Sequence, residues 1–162
     1  MRRRGTSVER GEGGPRLNEA IRSFLESARR AHLATASAKG VPHVVPICFA
    51  VLDEQSLVFA VDDKPKDRTR PLRRLRNLAE NDRFAVVVDR WDEEWARLGY
   101  VLLEGRACAV PPGERRSAAV AALRARYPQY VAMDLSASRH EVIELRVERV
   151  HPWGDLNGAG AG

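Results

Sequence analysis

The residues of this chain with the clearest chemical potential are cations. The stretch "DDKPKDRTRPLRRLRN", residues 62 to 77, carries seven positive side chains in sixteen positions. Ammonium groups at Lys64 and Lys66 are compact point charges, and the guanidinium groups of Arg70, Arg73 and Arg74 offer planar paired donors, so the chemistry on offer is a grip on phosphate or carboxylate. Read as a helix capped by Thr69, with Pro71 tolerated in its first turn, the stretch puts Leu72, Leu75, Leu78 and Ala79 on one side. Arg70, Arg73, Arg74 and Asn77 then share the opposite side, and Arg76 falls beside the leucines. A nucleic-acid backbone, a phosphorylated small molecule and plain solvent all remain open as counterparts. Asp62, Asp63 and Asp67 interrupt the run, and no recognition helix or stacking-sheet motif accompanies it, which argues against specific nucleic-acid binding.

Other chemistry is scarce. The sequence contains no GxxxxGK[ST], GxGxxG between strand and helix, HExxH or GxSxG. His32, His43, His140 and His151 share no ligand spacing, so no metal is expected. Cys48 in "PICFAV" and Cys108 in "RACAV" lie in apolar surroundings and read as buried thiols.

The elements around the cationic stretch follow from periodicity. At 162 residues, 44% apolar and 30% charged, the chain suits one globular domain. The net charge of +5 divides unevenly: residues 1 to 16 contribute +3, residues 62 to 77 contribute +4, and the remainder is −2. Lysines number only three against 24 arginines, yet two of the three stand in "KPK". The glycine-rich ends, 1 to 15 and 154 to 162, read as a disordered arm and a flexible tail, leaving a domain over 16 to 153. Leu17, Ala20, Ile21, Phe24, Leu25 and Ala28 form a helical stripe in which Asn18 lies too far inside to be the expected cap. "AHLATAS", "VPHVVPICFAVL" and "SLVFAVD" read as three strands of a meander. "RFAVVVDR", the long run 98 to 110 with a bulge at Gly105, a helix over 113 to 127 and a last strand over 140 to 153 follow. In that last strand Val142, Glu144, Arg146 and Glu148 alternate with Ile143, Leu145 and Val147, which predicts one wet face. The expected fold is therefore mainly β with helical additions, an antiparallel barrel of about six strands. With no apolar run near the roughly 20 residues of a membrane span, and no secretory h-region behind Arg2, Arg3 and Arg4, the expectation is a cytoplasmic chain without a membrane partner.

"AHLATASAKGVPHVVPICFAVLDEQSLVFAVDDKPK", followed by "LRRLRNLAENDRFAVVVDRWDEEWARLGYVLLEGRA", resembles the split β-barrel oxidoreductases related to pyridoxamine 5′-phosphate oxidase, in particular the branch that uses the deazaflavin coenzyme F420. The resemblance covers roughly residues 17 to 153. It implies a homodimer with the cofactor in a groove between subunits, F420 as that cofactor with FMN as the alternative, and a small electrophilic substrate. Lys64, Lys66, Arg70, Arg73, Arg74 and Asn77 would then clamp the anionic cofactor tail. Thr35, Ser37, His43 and Pro46, in the hairpin "TASAKGVPHVVPICF", would lie along the ring, and Trp95 would form a wall of the groove. The apolar run from Tyr100 to Val110 would supply the two-fold seam. No catalytic dyad is expected, because hydride chemistry belongs to the cofactor. Non-catalytic binding of a flavin, haem or tetrapyrrole is the alternative of a different class.

Overall fold

The stretch read as one strand over 41 to 52 breaks at Cys48 and Phe49 into β2 (Pro42–Ile47) and β3 (Ala50–Asp53). That break changes the topology. In the structure, a computed structural model that describes residues 15–61, 72–135 and 140–157, β2 pairs with β1 (Ala31–Ala36) and β3 with β4 (Ser56–Ala60). The two hairpins are not neighbours. β5 (Arg83–Arg90), β6 (Gly99–Ala109) and β7 (Val142–Gly154) lie between them, giving seven strands in the order β2-β1-β5-β6-β7-β4-β3. The expected meander of three strands is thus replaced by two hairpins at opposite edges of one antiparallel sheet, and the expected six strands become seven.

Chain geometry dictates the rest of the shape. Across a flat seven-stranded sheet the edges would stand about 29 Å apart, whereas the three Cα steps from Ile47 to Ala50 reach at most about 11 Å. The sheet must curl until its edges meet, and the result is the expected split barrel. Tyr127 holds the corner. Its hydroxyl accepts the Phe49 N–H at 3.1 Å and lies 3.0 Å from the carbonyl oxygens of Phe49 and Arg29, to one of which it donates its single proton. The Arg126 guanidinium lies over the Phe49 ring at 4.6 Å.

Inside the barrel Leu33, Phe59, Val86, Leu103 and Leu145 form the main core, closed by Ile21, Phe24 and Leu25 of α1 (Glu19–Ser27). Asn18 caps this helix after all, accepting the Ile21 N–H at 3.0 Å. A second core lies outside the barrel, where Ala119, Val120 and Leu123 of α3 (Glu114–Arg126) cover Ala50, Val58, Ala60 and Val142. For this reason the face of β7 expected to be wet is wet only in part. Val142 and Glu144 are 0% and 3% exposed beneath α3, while Arg146 and Glu148 face solvent. Cys48 is half-buried against this second core, and Cys108, expected to be buried, is exposed because its outward position on β6 lies beyond the cover of α3.

A carboxylate in such a place needs partners. Arg115 supplies them, reaching Glu144 Oε1 at 2.5 Å, Asp53 Oδ2 at 2.6 Å and Ser56 Oγ at 3.0 Å, and so fastens α3 to β3, β4 and β7. Burial pushes the Glu144 carboxyl up, but the hydrogen bond and charge of Arg115, with Arg146 behind, outweigh it and hold the group below its ordinary value. Asp53 is likewise raised by burial and, on balance, lowered by the Gln55 N–H, Arg115 and Ser56. Folded-state values below the unfolded ones stabilise the fold above the ordinary carboxylate range and lose that stabilisation as pH falls below about 4. Melting temperatures recorded between pH 6 and pH 3 should therefore drop along a steep acid limb that becomes shallower in Glu144→Gln. An acid limb of unchanged slope in that variant would assign the acid sensitivity elsewhere.

No helix among the described residues is long and apolar enough to cross a membrane.

Candidate functional site

The cationic helix, α2, spans Arg73–Glu80 with Leu72 at its N-cap position and no side-chain cap. Thr69, expected as the cap, lies outside the described residues, as do Pro71 and the proposed ligands Lys64, Lys66 and Arg70. The helix is also rotated from the expected projection. Leu75 and Leu78 pack on the barrel core as anticipated, but Ala79 is exposed, and Asn77, expected among the outward cations, is buried at 4% exposure.

The buried amide of Asn77 explains the rotation. Its Nδ2 donates to Thr35 Oγ1 at 3.0 Å, and at the other end of the helix the Glu80 carboxylate accepts the Ala38 N–H at 3.1 Å. These two bonds pin α2 across the β1–β2 hairpin. Thr35 is itself buried, so its hydroxyl serves the helix and is no open wall of a groove. Glu80 carried no signal in the sequence reading, because an acidic residue at the end of a basic helix looks like solvent decoration.

His43 stands directly opposite Thr35 in the β1–β2 register, on the same face and half-buried. Its imidazole is held below the ordinary histidine value, first by burial and then by the positive charges of Arg73 and Arg74. The lowered value reports the field of the helix: two guanidinium groups act on one spot at the mouth of the hairpin. Ser37 shapes that hairpin, its N–H donating to the Val41 carbonyl at 3.1 Å and its Oγ accepting the Val41 N–H at 3.2 Å. Thr35, His43, Arg73, Arg74 and Asn77 are therefore brought together, with Ser37 beside them.

Two expected residues lie elsewhere. Pro46 is exposed on the outward face of β2, opposite His32 of β1. Trp95 sits in a 3-10 turn, Trp95–Arg97, between β5 and β6 and is 76% exposed. Thr35 aligns with Phe84 at one end of β5, whereas the turn leaves from Arg90 at the other, about 20 Å away at strand rise. Within one chain, Trp95 cannot reach the cationic cluster.

Beside the cluster the sheet is notched. Phe84 neighbours Thr35 on one side and Gly105 on the other, and an open cleft of about 530 Å³ lies at this end of β5, β6 and β7, lined by Arg83, Phe84, Glu104, Gly105, Glu148 and Arg149. The expected bulge is present here: Glu104 faces Arg149 and Gly105 faces Val147, so Glu148 is the extra residue. Its carboxylate is held by Arg83 at 2.6 Å and Arg106 at 3.3 Å. Among the described residues no group of three His, Cys, Asp or Glu side chains could hold a metal ion. Arg73 and Arg74 on α2 offer paired guanidinium donors to an anionic group.

Comparison with known proteins agrees with this architecture. The family described as pyridoxamine 5′-phosphate oxidase matches residues 17–154. A 5a,11a-dehydrotetracycline/5a,11a-dehydrooxytetracycline reductase of Streptomyces rimosus is 36% identical over 96 residues, a match spanning 57% of this chain and 63% of the relative. Among solved structures, a heme-binding protein from Mycobacterium smegmatis superposes with a TM-score of 0.68 at 25% identity, covering 86% of this chain and 54% of that one. An FAD-binding protein from Mesorhizobium loti superposes at 0.58 and 22% identity, covering 80% of this chain and 86% of its own.

Proposed function

Since the chain belongs to the pyridoxamine 5′-phosphate oxidase family, we propose that it is an oxidoreductase that works as a homodimer and holds coenzyme F420, with the anionic tail of the cofactor at α2 and its ring along the β1–β2 hairpin. The observation that carries this reading is the placement of α2, with Arg73 and Arg74, across the β1–β2 hairpin by the Asn77–Thr35 and Glu80–Ala38 bonds, which sets two guanidinium groups at the mouth of a hairpin built from small and hydroxylated residues. The reductase name of the Streptomyces relative supports redox chemistry.

The residues fit such a group. F420 carries a phosphodiester and glutamyl carboxylates, and guanidinium pairs match both. When bound, the deazaflavin supplies hydride transfer to an electrophilic substrate atom. The protein orients the tail through Arg73 and Arg74, with Lys64, Lys66 and Arg70 as the further cations that the sequence places just before them. Asn77 and Glu80 hold the α2 backbone that carries Arg73 and Arg74 in place before the ligand arrives, which limits the ordering penalty of binding at those two residues. His43, disfavoured as imidazolium by its surroundings, presents a neutral ring able to donate one hydrogen bond or accept one from the cofactor or substrate.

FMN in the same place, or haem retained without turnover, are the competing readings, the latter favoured by the name of the Mycobacterium neighbour. Equilibrium titration of the protein with F420, FMN and haem at equal salt separates them. The expected order places F420 tightest, since the cationic stretch offers more charge than one phosphate requires. Tighter retention of FMN or of haem transfers the assignment to that ligand.

A further inference from the structure

Where the sheet resumes after α2 it carries a row of like charges. Arg83 of β5 stands directly opposite Arg106 of β6, and Arg106 directly opposite Arg146 of β7, so three exposed arginines lie side by side on adjacent strands. Like charges in directly opposed positions destabilise a sheet unless anions offset them. Arg106 Nη1 donates to both oxygens of Asp82, at 2.8 and 2.9 Å. Arg146 leans at 3.5 Å on Glu144, a carboxylate already held by Arg115. Between the remaining pair lies Glu148, its Oε2 2.6 Å from Arg83 Nη1 and its Oε1 3.3 Å from Arg106 Nε.

Glu148 is a replaceable counter-ion. As the extra residue of the bulge it has no partner across the ladder on β6, so no register fixes its side chain. That side chain is 45% exposed and can turn outward into water, and ion pairs at such sites contribute only about 0–1 kcal/mol. A guanidinium carries five N–H donors, and Glu148 engages one nitrogen of each neighbour. Arg83 and Glu148 also line the cleft of about 530 Å³, together with the uncharged Phe84 and Gly105 and with Arg149, which pairs with Glu104 at 3.2 Å. That volume falls within the roughly 300–1,000 Å³ of small-molecule pockets.

We propose that this cleft is a second anion site, which takes the carboxylate of a small organic acid between Arg83 and Arg106, Glu148 being the side chain that fills the slot until the acid displaces it. The resident group sets the ligand class. The space between the two guanidinium groups already holds a planar carboxylate, and planar paired donors match that shape. Binding exchanges one carboxylate for another, so the row of arginines keeps its counter-charge throughout. The site is separate from the α2 cluster: Phe84 lies between Thr35 and Gly105 in the register, which sets Gly105 about 10 Å from Thr35 at strand spacing. It does not depend on F420 as the ligand of α2.

Ligand-dependent melting tests the site, since a molecule that binds the folded state raises the melting temperature as its concentration grows. Glutarate, phosphate and chloride are compared at equal ionic strength. Glutarate should give a saturable rise in the parent protein that phosphate and chloride do not match. Removing the resident charge in Glu148→Gln should lower the half-saturating glutarate concentration about tenfold, the equivalent of one charge-assisted hydrogen bond. Arg83→Ala, with Arg83→Gln as a second variant, should abolish the rise, and the ligand-free melting curve of each shows that it folds. Arg74→Ala, a change on α2, should bind glutarate as the parent does. No saturable rise in the parent overturns the proposal, as does a larger rise with phosphate. A half-saturating concentration unchanged in Glu148→Gln would show that Glu148 does not compete for the slot, and loss of the rise in Arg74→Ala with retention in the Arg83 variants would move the anion to α2; either result overturns it too.

Discussion

Arg74→Ala lowers the affinity for F420 by about 10- to 150-fold. A hydrogen bond to a charged group is worth roughly 1.5–3 kcal/mol, and every 1.4 kcal/mol is about tenfold in a dissociation constant. The bonds that pin α2 run from Asn77 and Glu80, and because Arg74 is itself half-buried, the melting temperature of the cofactor-free variant is recorded beside its affinity to check that α2 keeps its fold. Arg76 is the internal control. It is exposed on the same helix and carries the same charge, so if the effect were only a diffuse field, Arg76→Ala would weaken F420 as much as Arg74→Ala does. A specific clamp predicts a change of about twofold or less for Arg76, whose exposed charge makes no hydrogen bond to the tail and is screened by salt. Fluorescence titration of the three proteins in one buffer decides the matter, and equal losses at 74 and 76 would dissolve the clamp into general electrostatics.

The second large effect concerns the bulge. A methyl group on Gly105 would be driven into the carbonyl of Arg146, with the Arg146 carbonyl carbon and the Glu148 nitrogen close behind. All three are backbone atoms in the longest strand pair of the barrel, so no side chain can swing aside to make room. Gly105→Ala is expected to destabilise the fold by about 3 kcal/mol, the upper range for overpacking, which for a domain of this size corresponds to a fall in melting temperature of about 6–12 °C. Gly40→Ala makes the contrast. Gly40 has a φ of 76° in the β1–β2 turn but nothing within 4 Å of an added Cβ, so only backbone strain of about 1 kcal/mol opposes the change. Thermal unfolding of both variants reads the difference, and a Gly105→Ala protein as stable as Gly40→Ala would show that the bulge can open freely.

Much of this architecture was legible in the residues. β5 fell where "RFAVVVDR" placed it, and Gly105 marked the bulge between β6 and β7, because a lone glycine inside a long apolar run has few other uses. The break at Cys48 and Phe49 was not legible: both residues are apolar, neither forms turns readily, and only the pairing of β2 and β3 with different partners interrupts the strand. Nor could alternation along β7 announce the burial of Glu144, since α3 lies some twenty residues before it and arrives by tertiary packing. At the site, the cations were evident from composition, and the two pinning bonds were not. Asn77 looked outward on a helical wheel because the wheel knows its own leucines but not the hydroxyl of Thr35 that waits across the hairpin. Trp95 was identified as a site residue, yet its position at the far end of β5 could be known only from the register.

The two-residue passage from β2 to β3 also has a consequence for how the chain reaches its folded state. Both hairpins, β1–β2 and β3–β4, are complete in the first 60 residues, but the strands that must stand between β1 and β4 come later. β4 finds its inner neighbour, β7, only when Ser56 meets Arg146, ninety positions further on. During synthesis the early half therefore holds two hairpins whose inner edges have no partner, tethered by Cys48 and Phe49 and unable to pair with each other in the native order. Contacts of such long sequence separation place the chain among slow-folding topologies, and until Val142–Gly154 has emerged from the ribosome those open edges are surfaces on which neighbouring chains could add strands.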